Sequence, residues 1–166
     1  MHSRIFQLER FPGDIEDNCI YEEDFYDMDA PYEWFIGTVA DYVSENVDKQ
    51  ADIDWLISTL SRQAEFITIN DDDDEDHISI TFLSGFKHAY FERRYHEFRN
   101  RASNMSLETF TNDTEIFTVE RLIKDKFGFY IYSSYYGLLP LDSFVRQLDN
   151  NQEHTFYFGT TLDYHY

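Results

Sequence analysis

The sequence has few of the features by which membrane and secreted proteins are identified. Its single cysteine, Cys19, cannot form an internal disulfide, and it contains no run of about 18 apolar residues that could span a bilayer. The first ten residues contain neither the apolar stretch nor the cleavage pattern of a signal peptide. These absences predict a cytoplasmic protein without a disulfide framework.

Signatures of catalysis are also missing. The chain contains no P-loop, no G-x-G-x-x-G fingerprint and no H-E-x-x-H motif. Ser133 and Ser134 lie outside any G-x-S-x-G nucleophile elbow. Carboxylates are so numerous that two of them near each other do not indicate glycosidase chemistry. We therefore predict that the protein is not an enzyme and has no catalytic residues.

Two groups of metal-ligating residue types do not form a recognisable metal site. The acidic tract 71–76 lacks the Gly at the sixth position and the Glu at the twelfth position of an EF-hand loop. His88, Glu92 and His96 share one face of a predicted helix, but neighbouring arginines would repel a cation there. We expect no dedicated metal site and no cofactor, and leave open whether the tract binds cations nonspecifically.

Basic residues are scarce in this chain. It has 13 Lys and Arg against 33 Asp and Glu, which gives a net charge of −20 at pH 7. Such a charge disfavours direct binding to nucleic acid or to an anionic membrane, and it favours a cationic partner. Segment 87–101 interleaves five basic residues with aromatics. Because the surrounding field is negative, we do not expect this segment to bind single-stranded nucleic acid.

The acidic residues are concentrated in the first half of the chain. Residues 1–80 contain 22 acidic and 4 basic residues, whereas residues 81–166 contain 11 and 9. Uniform acidification, as in halophilic proteins, would not produce this difference. We predict a single domain, 1–166, with a strongly acidic half at 14–80 and a near-neutral, aromatic-rich half at 81–166. The acidic half is expected to form a functional surface.

Hydrophobic periodicity predicts an α+β fold, in which a central antiparallel hairpin or sheet is packed by several amphipathic helices. Alternating apolar residues predict strands at about 5–8, 65–69, 77–82, 129–132 and 154–162. Apolar residues three to four positions apart predict helices at about 32–48, 51–63, 115–126 and 140–148, with a further helix beginning near 86. Residues 14–30 have no clear period and are predicted to be irregular.

The helix predicted at 32–48 would carry a row of negative charge. With Phe35, Val39 and Val43 on one side, the carboxylates of Asp41, Glu45 and Asp48 fall nearly opposite, and Asp52 extends the row. Four carboxylates separated by eleven residue steps in all would span about 16 Å, or roughly 5.5 Å per charge. A DNA strand carries one phosphate per about 3.4 Å of helix axis, so the row is a loose match to a phosphate backbone.

Acidic residues recur in three segments, which together define the candidate binding surface. They are Asp14, Glu16, Asp17, Glu22, Glu23, Asp24, Asp27 and Asp29 in the first segment, the Asp41, Glu45, Asp48 and Asp52 row, and Asp71, Asp72, Asp73, Asp74, Glu75 and Asp76 in the third. Tyr21, Phe25, Tyr26 and Tyr32 lie among these acids and are candidate aromatic anchors. In composition, residues 14–80 resemble the acidic DNA-mimic inhibitors that phages and mobile elements direct against restriction and CRISPR enzymes.

The resemblance implies a non-enzymatic inhibitor acting in the cytoplasm of a bacterial host. Its acidic, DNA-like surface would occupy the nucleic-acid-binding cleft of a basic host-defence nuclease, such as a CRISPR effector or a restriction enzyme. One alternative is an immunity protein or antitoxin that caps a cationic toxin. Another is an acidic structural or adaptor protein that binds basic proteins nonspecifically. A homodimer also remains open at this stage.

Overall fold

The computed structural model of the chain describes residues 1–71, 77–111 and 113–166. In these residues seven strands form one mixed sheet, in the order β3-β4-β7-β1-β5-β6, with β2 pairing with β7. β1 and β5 are parallel, and the other neighbours are antiparallel. The strands are β1 (His2–Glu9), β2 (Tyr42–Ser44), β3 (Ile67–Asn70), β4 (Ser79–Phe82), β5 (Tyr130–Ser133), β6 (Gly137–Pro140) and β7 (His154–His165).

Helices of very different length connect these strands. They are α1 (Gly13–Asp17), α2 (Lys49–Leu60), α3 (Phe86–Asn104), α4 (Leu107–Phe110), α5 (Asp113–Ile123) and α6 (Leu141–Gln147), with short 3₁₀ helices at Glu22–Phe25, Glu33–Phe35 and Ser61–Phe66. Asp48 caps α2, because its carboxylate accepts a hydrogen bond from the Ala51 N–H at 3.1 Å.

A bulge between β1 and β7 decides which side chains face each side of the sheet. Phe6 pairs with Thr161, but Leu8 pairs with Phe158, so β7 contains one extra residue at this point. Gln7 lies at the bulge, and its buried side-chain oxygen accepts the Thr160 N–H at 3.0 Å. Gly159 is required beside it, because a Cβ there would lie 2.2 Å from that oxygen.

One face of the sheet packs against long helices. Phe6 and Leu8 of β1 and Phe156 and Phe158 of β7 belong to this first core. They pack with side chains from three helices, among them Ile53, Leu56 and Leu60 of α2, Phe86 of α3, and Phe144 and Val145 of α6. The larger hydrophobic core therefore lies between the sheet and α2, α3 and α6.

The other face of the sheet is covered without a long helix. Ile5, the neighbour of Phe6, points to this side, as does Leu162 beyond the bulge. The second core that they form is closed by side chains from the segment between β1 and α2, namely Ile20, Phe25, Phe35, Val39, Ala40 and Val43. We call this covering segment, residues 13–48, the acidic layer.

The predicted α+β class is confirmed, and so is the antiparallel pairing of β3 with β4. The hairpin belongs to a larger mixed sheet, in which β1 and β5 run parallel. The helix predicted at 32–48 is wrong. The chain turns after Phe35, whose carbonyl accepts N–H groups from Val39 and Ala40, and Gly37 takes a left-handed φ of 79°. The segment then ends in β2.

Candidate functional site

Most carboxylates of the acidic layer are exposed to solvent. Several apolar side chains of the layer, such as Phe25, Phe35 and Val43, point into the second core, and most of its charged side chains are left on the outside. The exposed acids are Glu16, Asp17, Glu22, Glu23, Asp27, Asp29, Glu33, Asp41, Glu45 and Asp48, whereas Asp14 and Asp24 are half-buried. Because the layer covers one face of the sheet, these charges are gathered on one side of the molecule.

Glu22 and Glu45 join two parts of the layer that are distant in sequence. The Glu22 N–H donates to Glu45 Oε1 at 3.0 Å, and the Glu45 N–H donates to Glu22 Oε2 at 3.4 Å. Each carboxylate is therefore held by the backbone of the other residue. This exchange keeps two like charges close together despite their repulsion.

Further hydrogen bonds hold the layer in place. The Tyr26 hydroxyl donates to the Val43 carbonyl at 2.9 Å and accepts the Val43 N–H at 2.7 Å, so it pairs with an edge of β2. The Asp24 carboxylate accepts the Tyr21 N–H at 2.8 Å at the start of a 3₁₀ helix. These contacts order the segment without a long helix.

Cationic partners are nearly absent from the acidic layer. Among the described residues, no Lys or Arg lies within 4.0 Å of a carboxylate of the layer, and Asp41 alone has an ion-pairing neighbour, the His165 ring at 3.3 Å. Within the described part of the chain, ion pairs are formed by Arg4, Arg101, Arg121 and Arg146, and their partners lie outside the layer. The negative charge of the layer is therefore not neutralised locally.

Asp52 does not belong to this surface, so its assignment to a surface row was wrong. Its side chain is buried, and its Oδ1 accepts a hydrogen bond from Arg4 Nε at 2.6 Å. Its Oδ2 accepts a hydrogen bond from the Thr161 hydroxyl at 3.2 Å. Arg4 also contacts Asp163. Asp52 lies in the first turn of α2, on the side that faces the sheet, and it serves the packing of that helix.

The candidate aromatic anchors divide into two groups. Tyr21 and Tyr26 are 49% and 47% exposed, which leaves ring surface available to a partner. Phe25 is wholly buried in the second core, so its assignment as an anchor was wrong. Tyr32 is half-buried, and its ring packs edge-on against Tyr132 at 5.8 Å between centroids. Phe25 and Tyr32 stabilise the layer from below.

Three exposed apolar side chains of the layer were not predicted from the sequence: Met28, Trp34 and Tyr42, the last of which stacks on the His165 ring. Met28 is 87% exposed and Trp34 is 48% exposed, and both lie among the acids. The core was predicted from the helical spacing of Phe35, Val39 and Val43, and Trp34 does not fit that spacing. This misfit was the feature of the sequence that indicated an exposed Trp34. With Tyr21 and Tyr26, Met28 and Trp34 form the apolar component of the surface.

The third acidic segment is described only at its start. Asp71, which follows β3, is exposed. Asp72, Asp73, Asp74, Glu75 and Asp76 lie outside the described residues. The site as described therefore consists of the acidic layer.

Burial changes the acidity of tyrosines beneath the layer. Burial is the main cause that raises the pKa of Tyr32, Tyr130 and Tyr164 well above the ordinary value for tyrosine. The pKa of exposed Tyr21 is also raised, mainly by its interaction with the Cys19 side chain and to a smaller extent by the nearby carboxylates of Glu45 and Asp24. The second core thus favours neutral phenols below a negatively charged exterior.

Within the described residues, no group of three or more His, Cys, Asp or Glu side chains is arranged to hold a metal ion. No helix in the described part of the chain combines the length and the apolar character needed to cross a membrane. The chain matches no protein-family model, no curated protein and no solved structure at a significant level.

Proposed function

We propose that the acidic layer occupies the nucleic-acid-binding cleft of a basic host-defence nuclease, a CRISPR effector or a restriction enzyme, in a bacterial cytoplasm. The protein would inhibit by excluding nucleic acid, without turnover. The observation that carries this proposal is the collection of exposed carboxylates on one side of the sheet, with no Lys or Arg partner among the described residues.

The physical basis is the long-range field of such a surface. Uncompensated charges of one sign speed the encounter with a cationic cleft and align the two surfaces. A cleft that binds phosphates presents Lys and Arg side chains, and carboxylate oxygens can accept their hydrogen bonds in place of phosphate oxygens. A partner that binds nucleic acid is therefore favoured over other proteins.

The apolar residues on the same surface support binding to a protein. Tyr21, Tyr26, Met28 and Trp34 are exposed beside the acids. Aromatic side chains and Met are enriched in protein interfaces, where a few buried anchors contribute most of the binding energy. Charge would give the rate and orientation of binding, and these side chains would slow dissociation.

A capture experiment tests the proposal directly. The tagged protein is incubated with a bacterial lysate at moderate salt, with and without excess duplex DNA, and bound proteins are identified by mass spectrometry. We expect a nuclease or CRISPR effector to be captured and DNA to displace it. A partner that stays bound regardless of DNA would contradict the DNA-like mechanism and favour the immunity-protein alternative.

A pair of charge variants then locates the interface. The variant E16Q/D17N/D27N/D29N removes four exposed charges from the acidic layer, and E92Q/E108Q/E120Q/E153Q removes four exposed charges outside it. The net charge changes equally in both. We expect the first variant to weaken inhibition by roughly ten- to a hundredfold and to reduce its salt dependence. Equal effects of both variants would show that net charge alone acts.

A further inference from the structure

A cavity of about 340 Å³ lies on the helical side of the sheet and is also lined by Met1, His2, Ser3 and Tyr166. It is bounded by α2, α3, α6 and the residues before β5, and Trp55, Tyr90, Arg94, Phe127, Phe129 and Asp142 are among its lining residues. The volume is at the lower end of the range of about 300–1,000 Å³ that is typical of small-molecule sites.

Asp142 in the wall of this cavity has an incomplete set of contacts. Its side chain is 1% exposed, and neither carboxylate oxygen accepts a hydrogen bond from any described residue. Arg146 Nη2 lies 3.8 Å from Asp142 Oδ2, beyond hydrogen-bonding distance, and donates instead to the Ile123 carbonyl at 2.8 Å. A buried carboxylate without hydrogen bonds is costly, so a donor from outside the chain would be stabilising.

The other charged groups at the cavity already have partners: the N-terminal ammonium of Met1 donates to the main-chain oxygen of Tyr166, and the His2 ring pairs with Asp163 at 2.8 Å. Arg94 donates to the Leu122 and Arg121 carbonyls at 3.3 and 2.8 Å, and to the Tyr90 hydroxyl at 3.2 Å. The carboxylate of Asp125 accepts the Phe127 N–H and a hydrogen bond from Arg121, both at 3.3 Å. Asp142 therefore determines which chemical group a ligand must bring to this cavity, because its carboxylate lacks hydrogen-bond donors.

The aromatic side chains that line the cavity indicate which class of ligand it can bind. Trp55 packs edge-on against Phe129 at 4.9 Å between centroids, and Phe127 and Tyr90 line the same space. Arg4, Arg94 and Lys126 of the same chain already lie 5.3, 5.7 and 5.2 Å from the ring centroids of Trp55, Tyr90 and Phe127, so these rings are placed to attract cations. A carboxylate accepts hydrogen bonds from ammonium or guanidinium groups. We infer that the Asp142 cavity binds a small organic cation through an alkylammonium or guanidinium group.

This cation could be a free small molecule or the side chain of a lysine or arginine. Calorimetric and NMR titrations with butylammonium and butylguanidinium test the shared chemistry, with 1-butanol as the neutral probe. N-acetyl-arginine amide distinguishes the sources, because it carries the side chain on a peptide-like backbone. Saturable binding of either cation, without binding of butanol, is expected. Failure of both cations to bind, or equal binding of butanol, would overturn the inference.

Matched variants assign the binding to Asp142. Asp142→Asn keeps the shape of the side chain and removes its charge, and we expect it to weaken cation binding at least tenfold. Asp54→Asn removes an exposed charge from α2 and is expected to change binding less than twofold. Trp55→Leu tests the aromatic wall independently, with an expected several-fold loss. Undiminished binding by folded Asp142→Asn protein would place the cation elsewhere.

Discussion

The carboxylates of Glu22 and Glu45 each accept the backbone N–H of the other residue, at 3.4 and 3.0 Å. Twenty-three positions of sequence separate them, and the acidic layer places their negative charges side by side on its surface. The backbone hydrogen bonds offset the repulsion between the charges. The acidic surface is therefore built by specific contacts as well as by composition.

Replacing Glu45 by Gln should separate the effect of its negative charge on stability from the effect of its hydrogen bond with Glu22. The amide oxygen can still accept the Glu22 N–H, and the repulsion is removed. We expect Glu45→Gln to raise the free energy of unfolding by about 0.5 kcal/mol at low salt, with the gain disappearing at high salt. Glu45→Ala, which removes the acceptor, should lower it by about 1 kcal/mol. Urea unfolding at two salt concentrations measures both, and a salt-independent gain would contradict the interpretation.

The Tyr26 hydroxyl should stabilise the acidic layer through its two hydrogen bonds with Val43. We expect Tyr26→Phe to lower the free energy of unfolding by about 1–2 kcal/mol, because both backbone groups of Val43 lose a partner. Tyr135→Phe is the control, since its ring is 75% exposed. Chemical unfolding of both variants measures the difference, and equal stabilities would show that water replaces the Tyr26 hydroxyl.

Arg4 should be the most important cation for stability. It lies between the buried carboxylates of Asp52 and Asp163. We expect Arg4→Met to lower the free energy of unfolding by about 3 kcal/mol, because two buried carboxylates lose their shared counter-charge. Exposed Arg62→Met should change it by less than about 0.5 kcal/mol. Thermal and urea unfolding provide the measurement, and similar losses in both variants would contradict the assigned role.

The protein should unfold at alkaline pH. Burial raises the pKa of Tyr32, Tyr130 and Tyr164 in the folded state, so the folded protein holds phenolic protons that the unfolded chain releases. Stability therefore falls as pH rises above the unfolded tyrosine pKa of about 10. We expect exposed tyrosines such as Tyr135 and Tyr95 to ionise first, and the last part of the rise in absorbance at 295 nm to coincide with the loss of the circular dichroism signal. Ionisation of all tyrosines with no loss of structure would contradict this prediction.

Local hydrophobic patterns correctly predicted several helices and strands whose buried side chains recur at regular spacing. The spacing of apolar residues identified α2 and the first part of α3, and alternation identified β3 and β4. The 35/39/43 spacing failed, although all three side chains are buried as a helix would require. Turns around Gly37 followed by β2 bury the same side chains, and periodicity alone does not distinguish the two arrangements.

The candidate site was predicted in outline but not in every residue. Asp14 to Asp29 are positioned as a largely solvent-exposed acidic segment, as expected from composition. Phe25 and Asp52 were placed on the surface because nothing local reveals that one fills the second core and the other meets Arg4. Met28 and Trp34 were missed because exposure of an apolar side chain depends on what packs above it.

Composition and local pattern by themselves determined the net charge, its concentration in the first half, the α+β class and most helices and strands. Tertiary structure decided where that charge lies. The bulge at Gln7 and Gly159 shifts the β1–β7 register, so that β7 supplies Phe156 and Phe158 to one core and Leu162 and Tyr164 to the other. The acidic layer is held on the second face by burial of its own apolar residues. Such placement depends on contacts between distant segments, which local periodicity does not encode.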